Sequence, residues 1–382
     1  MKVLQAVVHH AQSGVQDFSA LAALAALPPD LVLAFGSVAA LQAGADAIAQ
    51  AFPTAHRAGC TTAGEISGKG VEDGSLVVTA LKFDHAHAAQ VSTVLDGMED
   101  SFAAGRRLAS SLPIVGLRAV LIFGQGVQIN GSAVLSGMTD ILGPKVPITG
   151  GLAGDGGAFA QTWVLDARGL SDNRLTCVGL YGDALEFSHG SFGGWSPFGP
   201  ARKVTRSENN VLFELDGESA LAVYKRYLGD HASGLPASGL LFPFAMLGSD
   251  HSEVGLIRTI LGVDEAAGSL TLAGDIDPNG YLRLMHASTD ALVEGAEAAA
   301  EAARAMQGKP NEGLALLVSC VGRKLVMGGR VDEEVEAVAD VFGQGATLAG
   351  FYSYGEISPF SPAVECKLHN QTMTITYIAE TA

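Results

Sequence analysis

The chain has 382 residues, of which 48% are hydrophobic and 16% charged, and this composition excludes a disordered protein and predicts a large core. Its formal net charge of −17, without a run of basic residues, excludes nucleic acid and an anionic membrane as the main partner, because phosphate groups are bound by clustered lysines and arginines. The length predicts two domains of ordinary size, or three.

Cysteine use and hydropathy both favour the cytoplasm. The four cysteines have no tight spacing, which is typical of a reducing compartment rather than of a disulfide scaffold. The most apolar stretch, at 21–41, is interrupted by Pro28 and Pro29, so it does not predict a membrane span. We therefore expect a cytoplasmic protein without a membrane partner.

Three segments of the chain predict the same order of elements: a strand, a helix, a second strand and then a glycine-rich loop with an acidic residue. The first strands are apolar runs at 31–37, 119–124 and 314–320, and the helices behind them lie at 39–52, 131–142 and 332–342. Gly143 and Gly343 indicate helix ends, and Asp332 indicates a helix N-cap. Further strands follow the loops, at 75–83, 162–166, 177–181 and 372–378.

The loops themselves repeat a phrase. Ala-Gly-Cys-Thr-Thr-Ala-Gly-Glu-Ile-Ser at 58–67 and Ala-Gly-Phe-Tyr-Ser-Tyr-Gly-Glu-Ile-Ser at 349–358 share their first two and last four residues, and a shorter version at 149–155 ends on Asp155. Repeats of this kind mark a reused structural unit. The glycines are typical of a loop shaped around a ligand, and the acid, Glu65 or Glu356, either ties the loop down or points into a pocket.

Two features divide the chain. The segment 186–204 is rich in glycine, proline and aromatic residues and predicts a shaped loop near a domain junction. Asp216 is a candidate cap for a helix through Leu228, so we predict domains at 1–215 and 216–382. The longest predicted helix lies at 289–307. The predicted fold class is α/β (mixed α+β), with two pseudo-repeated domains in which two mixed β-sheets are flanked by helices and the acidic loops line a groove.

Several catalytic and metal-binding patterns fail in detail. A dinucleotide-binding glycine pattern begins at Gly124, but Ile129 stands where its third glycine is needed. A calcium-loop pattern begins at Asp275, but His286 stands where its bidentate glutamate is needed. No Gly-x-Ser-x-Gly motif of a serine hydrolase occurs.

Cysteine and histidine leave three hypotheses open. Cys60 or Cys320 is a candidate nucleophile, against the alternative of inert core cysteines. Thiolates together with His369 would suit a metal centre if the two halves fold face to face. Haem takes a histidine as axial ligand, and the candidates are His189, His286 and His369, of which His189 lies in the aromatic-rich segment.

A pocket for a small polar molecule would use most of the unusual residues together. Arg258 and Arg323 are suited to bind a carboxylate through two parallel hydrogen bonds, and residues of the last repeat supply further donors and acceptors. The alternative is that Arg323 and Glu356 pair with each other and hold the repeat together. The predicted ligand-binding residues are Glu65, Arg258, Cys320, Arg323, Tyr352, Tyr354, Glu356, His369 and Asn370.

The chain resembles the FIST family of sensor proteins nearly from end to end. Its N-terminal half is similar to the FIST N domain at 58–66, 73–77, Gly-Trp-Ser-Pro-Phe-Gly (194–199) and 215–217. Its C-terminal half is similar to the FIST C domain at 224–229, 241–243, Ser-Cys-Val-Gly-Arg (319–323), 349–357 and Leu-His-Asn-Gln-Thr (368–372). The resemblance implies an intracellular sensory module without catalytic activity, which binds small ligands such as amino acids.

The absence of a fused transmitter makes the chain similar to the stand-alone, NosP-like (nitric-oxide-sensing) subgroup of that family. This resemblance implies haem (heme) as cofactor and a histidine kinase as partner in two-component signal transduction, while other members signal to cyclic-di-GMP proteins. Our leading hypothesis is therefore a haem-binding nitric oxide sensor, and the alternative is a sensor of amino acids or another small carboxylate without haem. A homodimer is compatible with both.

Overall fold

The computed structural model of the protein describes residues 1–9, 17–307, 312–360 and 366–381. The strands in chain order are β1 Lys2–Val8, β2 Leu31–Gly36, β3 His56–Thr61, β4 Glu65–Ser67, β5 Gly70–Glu72, β6 Leu76–Lys82, β7 His87–Val94, β8 Leu117–Gly124, β9 Ile148–Leu152, β10 Val164–Asp166, β11 Gly169–Ser171, β12 Arg174–Tyr181, β13 Leu185–Phe192, β14 Ser196–Pro197, β15 Arg202–Glu208, β16 Val211–Leu215, β17 Glu218–Ser219, β18 Phe244–Leu247, β19 Glu253–Arg258, β20 Ile260–Asp264, β21 Ser269–Leu272, β22 Tyr281–His286, β23 Gly313–Cys320, β24 Ala346–Ser353, β25 Gly355–Pro359, β26 Cys366–His369 and β27 Met373–Glu380.

The helices are α1 Ala20–Ala25, α2 Val38–Ala51, α3 Ser101–Ser110, α4 Gly131–Leu142, α5 Ala220–Leu228, α6 Thr289–Ala305, α7 Val321–Met327 and α8 Asp332–Phe342. Short 3-10 helices lie at Met98–Asp100, Gly229–Gly234, Ala237–Leu241, Gly328–Arg330 and Gly343–Gly345. Across the ranges that the structure describes, none of the helices has both the length and the apolarity needed to cross a bilayer.

The three predicted strand–helix–strand units are confirmed. In each unit the two strands are parallel: β2 with β3, β8 with β9, and β23 with β24. Helices α4 and α8 have the predicted bounds and end at glycines with positive φ, 77° at Gly143 and 64° at Gly343. The first strands are buried on both faces, which explains why they read as unbroken apolar runs.

These units build three equivalent six-stranded sheets. Their strand orders are β1-β6-β2-β3-β10-β11, β7-β12-β8-β9-β25-β26 and β13-β27-β23-β24-β4-β5. In every sheet the parallel pair has two antiparallel strands on one side and a short hairpin on the other. That hairpin always follows the acidic loop of a different unit. Mixed sheets flanked by helices confirm the predicted fold class. The expectation of two sheets is wrong, because each of the three units forms a sheet of its own and receives its hairpin from another unit.

A fourth sheet has nine strands, ordered β19-β18-β22-β15-β16-β21-β20 with β14 and β17 at its sides. Helix α5 packs on it, and its N-cap is Ser219, whose hydroxyl accepts a hydrogen bond from the Ala222 amide at 3.3 Å. The predicted cap, Asp216, is wrong: it occupies a turn with φ 52° and accepts from the Lys203 amide at 2.9 Å. The domain boundary after 215 stays a prediction, since strands from both sides of it pair in this sheet.

The three equivalent sheets meet in one apolar core. At its centre lie Phe35, Phe123 and Phe351, all fully buried, with ring centroids 4.7 to 6.2 Å apart. Aromatic pairs at these separations stabilise a core beyond the area they bury. The three rings come from different units, so the core joins the units into one body.

The glycine that opens each repeated phrase is explained by this packing. A Cβ atom on Gly59, Gly150 or Gly350 would overlap a carbonyl oxygen of the neighbouring parallel strand and lie 2.7 to 3.0 Å from its carbon. The close approach of two strands therefore requires these glycines.

Candidate functional site

Glu65 and Glu356 occupy equivalent positions and tie their loops down. Glu65 accepts hydrogen bonds from the Thr62 hydroxyl and from the amide and hydroxyl of Ser75, at 2.8 and 3.0 Å. Glu356 accepts from the Ser353 hydroxyl at 2.8 Å and from the amide and hydroxyl of Thr372, at 3.1 and 3.0 Å. The acid was predicted either to tie its loop down or to point into a pocket, and the structure shows that it ties the loop down.

Burial shifts the pKa of both carboxyls in the same direction. Removal from water raises the pKa of the Glu65 carboxyl, and it raises the pKa of the Glu356 carboxyl to about 8, although hydrogen bonds to each oppose the shift. A carboxyl that is protonated when folded and ionised when unfolded makes folding less favourable as pH rises between its two pKa values. For Glu356 that loss of stability spans the range from its ordinary pKa, about 4.3, up to about 8.

Asp155 is not the equivalent of these two glutamates. In the first sheet Val164 pairs with Cys60, the residue after Gly59. Glu65 and Glu356 pair with the corresponding residues of the other two sheets, Phe351 and Gly151. The Asp155 carboxylate instead accepts from the amides of residues 159–161 and from the Tyr354 hydroxyl. The ring of Tyr354 also stacks on Phe159, with centroids 4.1 Å apart, so Tyr354 holds this inserted loop.

Arg323 is the centre of a buried network. Its guanidinium pairs with Glu334 at 2.7 Å, with both side chains fully buried, so the alternative of a pair with Glu356 is wrong. Glu334 also accepts from Tyr352 and, at 3.0 Å, from Ser319. Arg323 further donates to the Gly193 carbonyl, which lies in the aromatic-rich segment. Arg323 therefore fixes the position of that segment, and Tyr352 holds the Glu334 carboxylate that pairs with Arg323.

The side chains of Cys60, Cys177, Cys320 and Cys366 are buried, and none of these four residues forms a disulfide. Burial raises the pKa of the Cys60 and Cys320 thiols, whereas a reactive cysteine has a lowered pKa. Cys366 accepts from the Ile148 amide at 3.1 Å. Within the described ranges, no three His, Cys, Asp or Glu side chains lie close enough together to hold a metal ion.

One cavity, which we call the aromatic cavity, has a volume of about 400 Å³. Its walls come from the end of β13 and the segment behind it, from the strands β18, β19 and β22, and from the chain around β26. Its lining includes Phe192, Trp195, Glu253, Arg283, Met285 and His369. Its mixture of apolar walls and a few polar groups is the general form of a small-molecule site.

Two charged residues of this cavity were missed by the sequence reasoning. Arg283 and Glu253 stand on the strands flanking β18, opposite Ala245 and Leu247 respectively, and side chains two residues apart share a face. The Arg283 Nε is buried and has no hydrogen-bond partner among the described residues. The alternation of Tyr281, Arg283 and Met285 along β22 was the available signal, but it did not reveal which face lines a cavity.

The three haem-ligand candidates lie in different surroundings. His369 lines the aromatic cavity, and its Nε2 donates to the Ser358 carbonyl at 3.0 Å. Burial lowers the pKa of His369, and likewise of His189 on β13, to about 4, so both rings are neutral. His286 is exposed, with its ring edge-on to Phe198.

Arg258 faces away from the aromatic cavity. It pairs in register with Phe244, on the opposite face of the same strands, and it lines a second cavity. Asn370 is buried, and its Oδ1 has no partner among the described residues. The structure therefore divides the predicted residues among separate sites instead of bringing them together.

The comparisons with known proteins agree with the motifs. Residues 30–218 match the FIST N domain and residues 220–359 match the FIST C domain. An uncharacterised protein of Methanocaldococcus jannaschii is 27% identical over 199 residues, which cover 48% of this chain and 36% of that protein. The match thus spans about a third of that relative's length.

Two solved structures are similar along nearly the whole chain, and both are cyanuric acid hydrolases. The enzyme from A. caulinodans has 9% identity and a TM-score of 0.37, with 100% of this chain and 99% of that chain covered. The second has 10% identity and a TM-score of 0.30, with 99% of both chains covered. Since these neighbours are enzymes, the expectation of no catalytic activity is withdrawn. At these TM-scores the likeness assigns no reaction to the chain.

The two domain matches follow each other in the order of the motifs and together cover most of the sequence. The chain belongs to the FIST family, whose domains are sensory, ligand-binding domains.

Proposed function

We propose that this protein senses an amino acid with a large apolar side chain, which it binds in the aromatic cavity. The observation that supports this proposal is the guanidinium of Arg283, which lines a cavity with mostly apolar walls and forms no hydrogen bond or ion pair with a described residue. A buried donor without a partner costs stability, and a bound carboxylate would supply the missing acceptor.

Each part of an amino acid has a counterpart in this cavity. The carboxylate would bind Arg283, the ammonium group would bind Glu253, and the side chain would pack on Phe192, Trp195 and Met285. A volume of about 400 Å³ lies near the lower end of the range for ligand sites, about 300–1,000 Å³, and suits a molecule of this size.

The position of the cavity suggests how binding is reported. Its walls belong to the fourth sheet on one side and to strands of the other sheets on the other. A ligand that contacts both sides favours the arrangement in which they are closest, and so shifts the population of arrangements. We propose that a histidine kinase or a cyclic-di-GMP signalling protein in the cytoplasm reads this shift, with the protein acting as a monomer or homodimer.

The Arg283→Gln variant tests the assignment. Loss of a charge-assisted hydrogen bond costs about 1.5–3 kcal/mol, so we expect the Kd for phenylalanine, measured by calorimetry, to rise roughly 10- to 100-fold. Phenethylamine, which lacks the carboxylate, should bind both forms equally. The control is Arg118→Gln, which removes an exposed arginine outside the cavity. An unchanged Kd in Arg283→Gln, or no binding by any apolar amino acid, would refute the proposal.

A haem-based nitric oxide sensor is the second candidate, supported by the hydrogen bond of His369. Metal-ligating histidines commonly donate their second ring nitrogen to a carbonyl, as Nε2 of His369 does to Ser358, and this leaves the lone pair on Nδ1. The aromatic walls suit a flat macrocycle, and Arg283 would pair with a propionate. Haem would supply an iron that binds nitric oxide.

Absorption spectra with and without added haem test this candidate. We expect a Soret band in the wild type that is weakened or displaced in His369→Phe, because the axial ligand is lost. His286→Phe, which removes an exposed histidine outside the cavity, should keep the wild-type spectrum. No Soret band after haem titration, or an identical band in His369→Phe, would exclude it.

A further inference from the structure

A second cavity lies on the far side of β19, one of the strands that wall the aromatic cavity. Its volume is about 520 Å³, and it is bounded by α4, by β19 and by the beginning of β26. The polar residues around it are Ser132, Ser136, Thr139, Asp140, Arg258, Asp275 and Lys367. This lining is more polar than that of the aromatic cavity, which indicates a different class of ligand.

Arg258 is the feature of this cavity that calls for a partner. The side chain is buried, and its guanidinium donates to three backbone carbonyls: Nε to Asp275 at 3.1 Å, and one terminal nitrogen to Ile257 and Leu368, both at 3.2 Å. No carboxylate of the described residues lies within 4.0 Å of it, and its second terminal nitrogen forms no hydrogen bond with them. Buried charges are usually paired, because desolvation disfavours the charged form.

The charge of this group is therefore poorly compensated by the protein. Desolvation lowers the pKa of Arg258 to about 10, and the more distant Asp275 opposes this shift only in part. The Asp275 carboxylate itself accepts from the Asn130 amide group at 3.1 Å. An anion in the cavity would complete the coordination of the guanidinium.

The rest of the lining points to hydroxyl groups on the same ligand. Ser132, Ser136 and Thr139 are spaced so that they share one face of α4, and they present three hydroxyls to the cavity. Asp140 pairs with Arg106 across the surface, and with Asp275 it supplies carboxylate acceptors. These acceptors would repel a ligand of high negative charge, such as a phosphate, but they would accept hydrogen bonds from alcohol groups.

We propose that this cavity is a second ligand site, specific for a small hydroxylated carboxylate of the sugar-acid or hydroxy-acid class. The ligand's carboxylate binds Arg258, and its hydroxyls bind the serine and threonine hydroxyls of α4 and the carboxylates of Asp140 and Asp275. The proposal is independent of the ligand of the aromatic cavity, because Arg258 lines the second cavity and Arg283 lines the aromatic cavity.

Calorimetric titration of the full chain with gluconate tests the site. Gluconate should bind with a measurable Kd, whereas glucose, which lacks the carboxylate, should bind at least tenfold more weakly. Arg258→Gln removes the cation, and Ser132→Leu fills the cavity from α4 without touching Arg258. Each substitution should raise the Kd for gluconate at least tenfold. Arg118→Gln is the matched control and should leave the Kd unchanged.

The outcomes separate clearly. Equal binding of gluconate and glucose, no binding of gluconate or glycerate, or an unchanged Kd in Ser132→Leu would overturn the proposal. Because Arg258 also bonds three carbonyls, circular dichroism must show that Arg258→Gln is folded, and if it is not, Ser132→Leu decides alone. Loss of phenylalanine binding in Arg283→Gln has no bearing on this result, so each site can fail without the other.

Discussion

Replacing Gly350 by alanine should destabilise the protein by more than about 3 kcal/mol, because the new methyl group would meet backbone rather than a movable side chain. It would overlap the Leu317 carbonyl oxygen and lie 2.7 Å from the carbonyl carbon. Overpacking where side chains can adjust typically costs about 1–3 kcal/mol. Here Gly350 is paired with Leu317 on one side and Ile66 on the other, so the strand cannot withdraw without loss of both ladders. Urea denaturation measures the change in the free energy of unfolding.

Gly329→Ala is the control for this experiment. No atom lies within 4 Å of a Cβ built at Gly329, so the substitution should change the stability by no more than about 1 kcal/mol. Gly59→Ala and Gly150→Ala, at the equivalent positions of the other two units, should behave like Gly350→Ala. A Gly350→Ala protein as stable as the wild type would show that strand spacing does not explain the repeated glycine.

Removing the Glu334 carboxylate should cost about 3–5 kcal/mol, because Glu334→Ala leaves the fully buried Arg323 guanidinium without its counter-charge. The same change removes the acceptor of the Tyr352 and Ser319 hydroxyls. The measurement is again the free energy of unfolding from urea titration.

The control is a solvent-exposed ion pair of the same protein. Glu265→Ala breaks the pair with Lys225, and since Glu265 is 67% exposed the loss should stay below about 1 kcal/mol. Equal losses in the two variants would mean that burial of the Arg323–Glu334 pair has no energetic consequence. Because Arg323 also holds the Gly193 carbonyl at the wall of the aromatic cavity, Glu334→Ala should in addition weaken phenylalanine binding.

Both candidate ligand sites are lined by residues of the fourth sheet. Strands β18, β19 and β22 carry Arg283 and Glu253 on one face and Arg258 on the other, and Leu256 lines both cavities. A ligand in either cavity would contact β19, which is the shared element through which the two sites would influence each other.

The local elements followed from the sequence because their determinants are local. Apolar runs, helix periodicity and the glycines at 143 and 343 specified the three strand–helix–strand units, whose parallel strands and helix ends the structure confirms. The sequence identified the repeated acid but did not decide whether it ties its loop down or points into a pocket. The hydrogen bonds from the Ser75 and Thr372 amides, which only the structure reveals, show that it ties the loop down. The N-cap at Ser219 instead of Asp216 was a choice between neighbouring cap residues.

What the tertiary structure alone decided depends on contacts between residues far apart in the chain. Strand register across the three units determines which sheet each hairpin joins and why Val164, and not Asp155, is the equivalent of Glu65. The pairing of Arg323 with Glu334 is a contact between the consecutive helices α7 and α8, which the sequence pattern did not specify. The convergence of Arg283 and Glu253 on one cavity, with Arg258 on the opposite face, follows from the pairing of β18 with β19 and β22. A sequence specifies the alternation of side chains along a strand, but the neighbouring strand determines which face closes over a ligand.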